Sequence, residues 1–410
     1  MQSGGSDRAA AAPPGVAVDG AAGRVLAAGA LPFVGVLLVA SNLRAAITVV
    51  GPLIPQVRAD GGLTDAAAGV LTSIPLAAFA VMSPVAPALA RRFGLERAIA
   101  AALVLLGLAT VLRSLPAAPA LWAGTLLIGA AVAVLNVVLP SIVKRDHPGH
   151  VGRITGVYSA VQGGVSALAA GLAVPIAGVG GWRLAFGIWA GLAVIALAVF
   201  LPGHRRSPAL ATPHPGTAPA RSPWRTAAGW QVTAFMGLQS VCFFVFVTWW
   251  PSIEQSQGVA AGTAGWHLFG FQVLGVAGSL GSGVVMRRRG REPALAVASG
   301  LLVLIGALGE LAAPAVSLVW IGASGLGCGI SIVLALSLFG LRSTDPAQTA
   351  AMSGMAQTVG YLVATAGPPL VGVLHDGTGA WTVPLLVVAA VGVLQLGSGV
   401  VASRVPRPAQ

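Results

Sequence analysis

Arg44 lies in the middle of a long apolar run, within Ser41-Asn42-Leu43-Arg44-Ala45-Ala46-Ile47-Thr48. If that run crosses a bilayer, the guanidinium costs at least ~2.5–3.5 kcal/mol to insert. No Asp or Glu stands at a comparable depth in any other apolar run. An unpaired guanidinium, with five donors in a fixed fork, suits a water-filled cavity that receives an anionic or acceptor-rich small molecule. The bland alternative is an arginine that bonds backbone carbonyls or snorkels to an interface.

Asn42 and Thr48 flank Arg44, Asn136 sits mid-run further on, and Gln239 lies early in a later run. Tyr158 and Gln162 are spaced i, i+4; Ser353, Gln357, Tyr361 and Thr365 repeat at the same interval. Each set falls on one helical face. Such a stripe lines a cavity or serves as interhelical hydrogen-bond glue. The candidate substrate-binding residues are therefore Asn42, Arg44, Thr48, Asn136, Tyr158, Gln162, Gln239, Gln357 and Tyr361. Aromatics cluster at Phe243, Phe244, Phe246, Trp249, Trp250, Trp266, Phe269 and Phe271, where ordinary packing outweighs a pocket wall. His267 is the candidate for proton coupling, because an imidazole titrates near neutral pH. His375 and Asp376 form a second, end-of-run pair.

Other chemistries lack their residues. There is no Gly-Lys-Ser/Thr nucleotide loop, no His/Cys/Asp/Glu set with metal-ligand spacing, and no Ser–His–acid or paired-carboxylate constellation. No catalytic residue, metal or cofactor is expected, and the chain does not read as an enzyme. Cys242 and Cys328 both fall in apolar runs and read as small buried hydrophobes.

The elements that must position these residues are membrane helices. Hydrophobic residues make up 56% of the 410 and charged residues only 8%, against about 25% charged in soluble domains; mean hydropathy is +0.87. Such a chain needs hydrocarbon around it. Apolar runs of bilayer length fall near 28–55, 66–89, 98–114, 120–143, 154–176, 183–201, 228–252, 264–286, 293–312, 316–340, 350–373 and 380–402. They are continuous rather than alternating, which excludes a barrel.

With the N-terminus inside, nineteen of the 23 Lys and Arg fall on the cytoplasmic side, Arg58, Arg113 and Arg183 fall outside, and Arg44 lies within a span. This bias fixes both termini in the cytoplasm and an even helix count. It accounts for the net charge of +12 without nucleic acid, and draws anionic lipid headgroups as a side effect. Trp122, Trp182, Trp266, Trp320 and Trp381 stand at the outer starts of even-numbered spans, as an interfacial belt would.

The longest polar segment, His204–Arg225, carries five prolines and separates six spans from six. The expected division is a disordered cytoplasmic tail (1–26), an N-terminal bundle (27–203), a linker (204–226), a C-terminal bundle (227–403) and a short tail (404–410). At an offset of 196–199 residues, Arg91-Arg92-Phe93-Gly94 meets Arg287-Arg288-Arg289-Gly290, Thr155-Gly156 meets Ser353-Gly354, Gly181-Trp182 meets Ala380-Trp381, and Pro52 meets Pro251. The fold class is thus an all-α membrane protein of twelve helices, in two like-oriented six-helix halves with pseudo-two-fold symmetry. That is the major facilitator architecture, with a site expected at mid-membrane between the halves.

The run Ser41–Pro55 resembles the opening helix of the cyanate permease/2-nitroimidazole transporter family of the major facilitator superfamily. Asn136-Val-Val-Leu-Pro140 through Lys144-Arg145-Asp146 is similar to its fourth helix. Gly237-Leu238-Gln239-Ser240 with Trp249-Trp250-Pro251 resembles its seventh, and Met355-Ala356-Gln357 with Gly360-Tyr361 and His375-Asp376 its eleventh. The resemblance implies transport of a small anion or small polar heterocycle by alternating access. Asn42 and Arg44 would be its first-helix polar groups, and Asn136, Gln239, Gln357 and Tyr361 further lining residues. The superfamily loop Gly-x-x-x-Asp-Arg-x-Gly-Arg-Arg/Lys is altered: Pro87 replaces its first Gly, Arg91 its Asp, and Leu95 follows Gly94. The expected protein is a monomer of the bacterial inner membrane. Its partners are the bilayer, a small-molecule substrate and protons as a candidate coupling ion. Proton-linked efflux of planar drug-like compounds, and a ligand sensor with a transporter fold, are the alternatives.

Overall fold

The computed structural model describes residues 32–147, 150–204, 222–288, 290–344 and 346–404. The expected N-terminal tail, most of the linker and nearly all of the C-terminal tail lie outside the described residues. Among the described residues all regular structure is helical.

Among the described residues ten helices are long and apolar enough to cross a membrane: Pro32–Gly61, Asp65–Met82, Leu95–Arg113, Ala118–Asp146, Ile154–Gly187, Ala227–Ser256, Ala261–Val285, Glu292–Ala312, Pro314–Leu341 and Thr382–Arg404. Two further crossings come from interrupted pieces. The fifth span, in Val151–Gly187, ends at Gly180 and Gly181, whose backbone leaves the helical region. The sixth follows and runs through Trp189–His204. The eleventh is Pro346–Thr365 followed by Gly367–Thr378; Pro368 and Pro369 just past the join cannot donate to a continuous ladder. The second span continues past Ser83-Pro84 into the short helix Ala86–Phe93.

Among the described residues six glycines have positive φ: Gly62 (61°), Gly94 (88°), Gly181 (77°), Gly258 (90°), Gly290 (83°) and Gly379 (66°). They form three pairs at the repeat offset: Gly62 with Gly258, Gly94 with Gly290, and Gly181 with Gly379. Each pair ends or turns corresponding spans, where a side chain would be strained. The internal repeat is therefore written in backbone conformation as well as in sequence.

Within each half the third span packs on the fourth and sixth, and the ninth on the tenth and twelfth. Between the halves, span 1 meets span 7, span 2 meets span 11, and span 5 meets span 8. One hydrophobic core straddles both halves, joining Leu53, Val57, Leu71 and Ala170 to Val247, Trp249, Leu268 and Val371. A second belongs to the N-terminal half alone and a third to the C-terminal half alone.

The tryptophans only partly match an interfacial belt. Trp266 is exposed, but Trp182 is buried and donates Nε1–H to Asp60 at 2.8 Å. Trp381 stacks on His375 with ring centroids 3.9 Å apart. The ring N–H of Trp182 is thus used inside the protein rather than at a headgroup. Cys242 and Cys328 are buried and unbridged.

Candidate functional site

The first span is not one continuous helix. It is interrupted at Asn42–Arg44 and again at the 3₁₀ turn Gly51–Leu53. Arg44 itself has φ −134° and ψ −22°. A broken helix frees carbonyls that must find donors in the membrane. The carbonyl of Leu38 takes Asn42 Nδ2–H at 2.8 Å and the Ser41 hydroxyl at 2.7 Å. The carbonyl of Ala46 takes Arg113 Nη1–H at 2.8 Å. This accounts for Arg113, which is buried at the end of the third span with its guanidinium 4.4 Å above the Phe186 ring.

Arg44 is half-buried at this break. Its guanidinium lies over the Phe243 ring of the seventh span, 5.0 Å from the centroid, and it interacts electrostatically with Tyr361 of the eleventh. Phe243 is braced by Phe271 at 5.8 Å, and Tyr361 by Phe79 of the second span at 5.5 Å. No carboxylate pairs with Arg44 among the described residues. A cation–aromatic contact is worth about 0.5–2 kcal/mol, too little to replace a counter-ion. The site is cationic above and aromatic on one wall.

The other candidates divide by exposure. Asn136, Gln162 and Gln357 are half-buried on spans 4, 5 and 11, as is Tyr361. Asn136 Nδ2 donates to the Val132 carbonyl at 3.0 Å, and Gln357 Nε2 to Ser353 Oγ at 2.7 Å. By contrast Asn42 is sealed, its Nδ2 shared between Leu38 and the Leu192 carbonyl. Gln239 is sealed too, bonded to Ser240 Oγ at 2.8 Å. Tyr158 is buried. Thr48 joins a chain between halves: it donates to the Ser166 carbonyl at 3.1 Å, and Ser166 Oγ accepts from Gln272 Nε2 at 2.6 Å. His267 is near the start of the eighth span, its Nδ1 2.7 Å from Glu254 Oε1.

The two ends of the bundle differ. Call the end bearing Arg91, Arg92, Lys144, Arg287 and Arg288 the basic end. At the opposite end the halves touch backbone to backbone. A Cβ on Gly51 would sit 2.1 Å from the Val247 oxygen, one on Gly69 2.5 Å from the Pro368 oxygen, and one on Gly372 2.4 Å from the Asp65 oxygen. Toward the basic end, Gly156, Gly164, Gly281 and Gly354 on spans 5, 8 and 11 have no such neighbour within 4 Å. The halves are pressed together at one end, while these glycines toward the other face open space.

A polar junction sits at the closed end. Asp376 of span 11 accepts from the first backbone N–H groups of span 2, Asp65 at 3.0 Å and Ala66 at 2.8 Å. His375 Nδ1 lies 2.8 Å from Asp65 Oδ2, and Arg58 pairs with Asp65 on its other side. A carboxylate on a helix N-terminus is charge-assisted and favoured by the dipole. Asp376→Asn keeps one acceptor and loses the charge. It is expected to weaken the junction by about 1 kcal/mol, read as faster maleimide labelling of Leu53→Cys.

Sequence reading missed three parts of this arrangement. Phe243 was one of many aromatics, and only the helix break aims Arg44 at it. Ser166 and Asp65 carried no signal of partners more than a hundred residues away.

A family model described as Major Facilitator Superfamily matches residues 36–368. The chain is 40% identical over 380 residues to an uncharacterized transporter YycB of Bacillus subtilis, covering 90% of this chain and 92% of that protein. It is 38% identical over 372 residues to the 2-nitroimidazole transporter of Escherichia coli, covering 90% and 94%, and 26% identical to the cyanate transport protein CynX of Escherichia coli, covering 84% and 89%. Among solved structures, a bacterial homologue of the human lysosomal transporter Spinster superposes with TM-score 0.75 at 14% identity, over 92% of this chain and 98% of that one. A D-xylose–proton symporter superposes with TM-score 0.70 at 15% identity, over 92% and 96%.

Proposed function

Because the chain belongs to the major facilitator superfamily, in its cyanate permease/2-nitroimidazole transporter family, and so is a membrane transporter of small molecules, we propose that its substrate is a small planar anion or acceptor-rich heterocycle held at Arg44. The observation that carries this reading is the uncompensated guanidinium, half-buried at the break in the first span and backed by Phe243. A nitro group, a carboxylate or a linear anion offers acceptor oxygens or nitrogens to the guanidinium fork. A flat substrate also gains contact with the ring beneath.

In this reading Tyr361, Asn136, Gln162 and Gln357 supply directional hydrogen bonds from the open side. Asn42, Thr48, Tyr158 and Gln239 take part through the packing that holds the broken first span and its neighbours. The halves, 27–203 and 227–403, rock about the site, with the polar junction and glycine contacts as the gate at the closed end. The basic end lies in the cytoplasm of the inner membrane by the positive-inside bias, so in this reading the end where the halves touch backbone to backbone faces outward. His267 is the group through which protons enter coupling, and the transporter works as a monomer.

The test is counterflow. Proteoliposomes preloaded with unlabelled 2-nitroimidazole should take up labelled 2-nitroimidazole saturably, with cyanate and 4-hydroxybenzoate as competitors. Competition by the anions would place a negative charge at Arg44. Absence of saturable 2-nitroimidazole counterflow would defeat the substrate assignment.

A further inference from the structure

We propose that Glu254, Glu310 and His267 form a proton-binding site in the C-terminal half, in which the two carboxyl groups share one exchangeable proton and His267 passes it to and from water. Its use in coupling rests on the transport reading above; the presence of the proton does not.

The site lies where spans 7, 8, 9 and 10 meet at the closed end. Glu254 is 0% and Glu310 1% exposed. Glu254 Oε1 accepts from Ser317 Oγ at 2.5 Å and faces His267 Nδ1 at 2.7 Å, while Oε2 has no hydrogen-bond partner. Ser317 Oγ in turn accepts from Trp250 Nε1 at 3.1 Å. Glu310 lies beside Ser317 and Gln257 and within electrostatic reach of Glu254 and His267. Neither of its oxygens meets a donor in good hydrogen-bonding geometry. No Lys or Arg pairs with either acid among the described residues. Of the other charged groups at this end, Arg58, Asp65, His375 and Asp376 are engaged with one another in the polar junction, Arg183 pairs with Asp60, and Arg113 donates to the Ala46 carbonyl.

Charge balance then requires a proton. A cationic His267 compensates one carboxylate; the second would stand buried and unpaired, which is prohibitive. Two carboxyl groups in one dry site do not both ionise. A proton on one of them also turns an orphaned acceptor into a donor for its neighbours. His267 is the only one of the three groups with solvent access, its side chain 19% exposed. It is therefore the port: the imidazole takes a proton from water on one nitrogen and releases one from the nitrogen facing Glu254.

The repeat argues against a merely architectural role. At offsets of 196 and 197 residues the N-terminal half carries Arg58 and Arg113 where this half carries Glu254 and Glu310. The fold does not demand acids here. The site is also mechanically connected. The span bearing Glu254 carries Phe243 under Arg44, and Trp249, whose Nε1 donates to the Pro368 carbonyl at 2.9 Å. A change of charge at Glu254 acts on the helix that touches both substrate site and gate.

The experiment has two arms on the full chain in liposomes. Infrared difference spectra at neutral pH should show a carboxylic-acid C=O band that shifts in D₂O, and lose it in the near-isosteric Glu310→Gln and Glu254→Gln. In parallel, 2-nitroimidazole is followed under an imposed pH gradient and in counterflow. Both Gln variants should keep counterflow and fall to equilibrium level in gradient-driven accumulation. Absence of the acid band from the wild type would overturn the site. A band present alongside undiminished gradient-driven accumulation in both variants would overturn its coupling role. Failure of wild-type counterflow would instead defeat the substrate assignment, with the infrared arm still deciding the proton.

Discussion

Arg44→Gln should lose nearly all saturable uptake while the protein folds at least as well as before. A charged hydrogen bond contributes about 1.5–3 kcal/mol, so losing the guanidinium–substrate contact lowers kcat/KM by roughly 10–150-fold. The fold should not suffer, because the orphan carbonyls of the broken first span are held by Asn42, Ser41 and Arg113 rather than by Arg44. Removing an uncompensated charge also relieves an insertion cost. Arg44→Lys separates charge from shape. It restores the cation without the planar fork, and should recover part of the uptake if the substrate is an anion and little if a heterocycle must be gripped at two points. Melting temperature and counterflow measured on the same preparations check both halves of the expectation. Uptake untouched by Arg44→Gln would make Arg44 a structural cation over Phe243.

Most of the membrane architecture was readable because burial in lipid leaves continuous apolar runs, and a basic bias orders them. The interruptions were less visible. Arg44 was conspicuous as a charge, yet the break at Asn42–Arg44 is not signalled by Gly or Pro at that point. The i, i+4 spacing puts each polar stripe on one helical face, but spacing says nothing about what a face meets. Gln357 and Ser353 bond each other along their helix, and Thr365 bonds the Tyr361 carbonyl one turn back. Glu254 escaped notice because the seventh apolar run ends near residue 252, whereas the helix continues to Ser256 and carries the carboxylate into a buried position. The junction of Asp65 with His375 and Asp376 joins residues about three hundred positions apart. Only the packing of span 2 on span 11 brings them together.

That packing supplies the other large expected effect. Gly51→Ala, Gly69→Ala and Gly372→Ala should each pry open the closed end and arrest transport. The added methyl would face carbonyl oxygens at 2.1, 2.5 and 2.4 Å, and these are backbone atoms that no rotamer change can move. Overpacking of this kind costs about 1–3 kcal/mol, paid only in the conformation that closes this end. The closed population then falls by roughly 5–150-fold. Helix propensity runs the other way at Gly69 and Gly372, since Ala is the better helix former by about 1 kcal/mol. A general loss of folding is therefore not expected. Leu53→Cys, 0% exposed beneath this junction, is the reporter: an impermeant maleimide added from the non-basic side should label it faster in each Ala variant. Gly354→Ala, with open space at its Cβ position, should leave labelling and uptake unchanged. If the three junction variants label and transport like the wild type, the contact is a static seam, and rocking of the halves about Arg44 must close the path elsewhere.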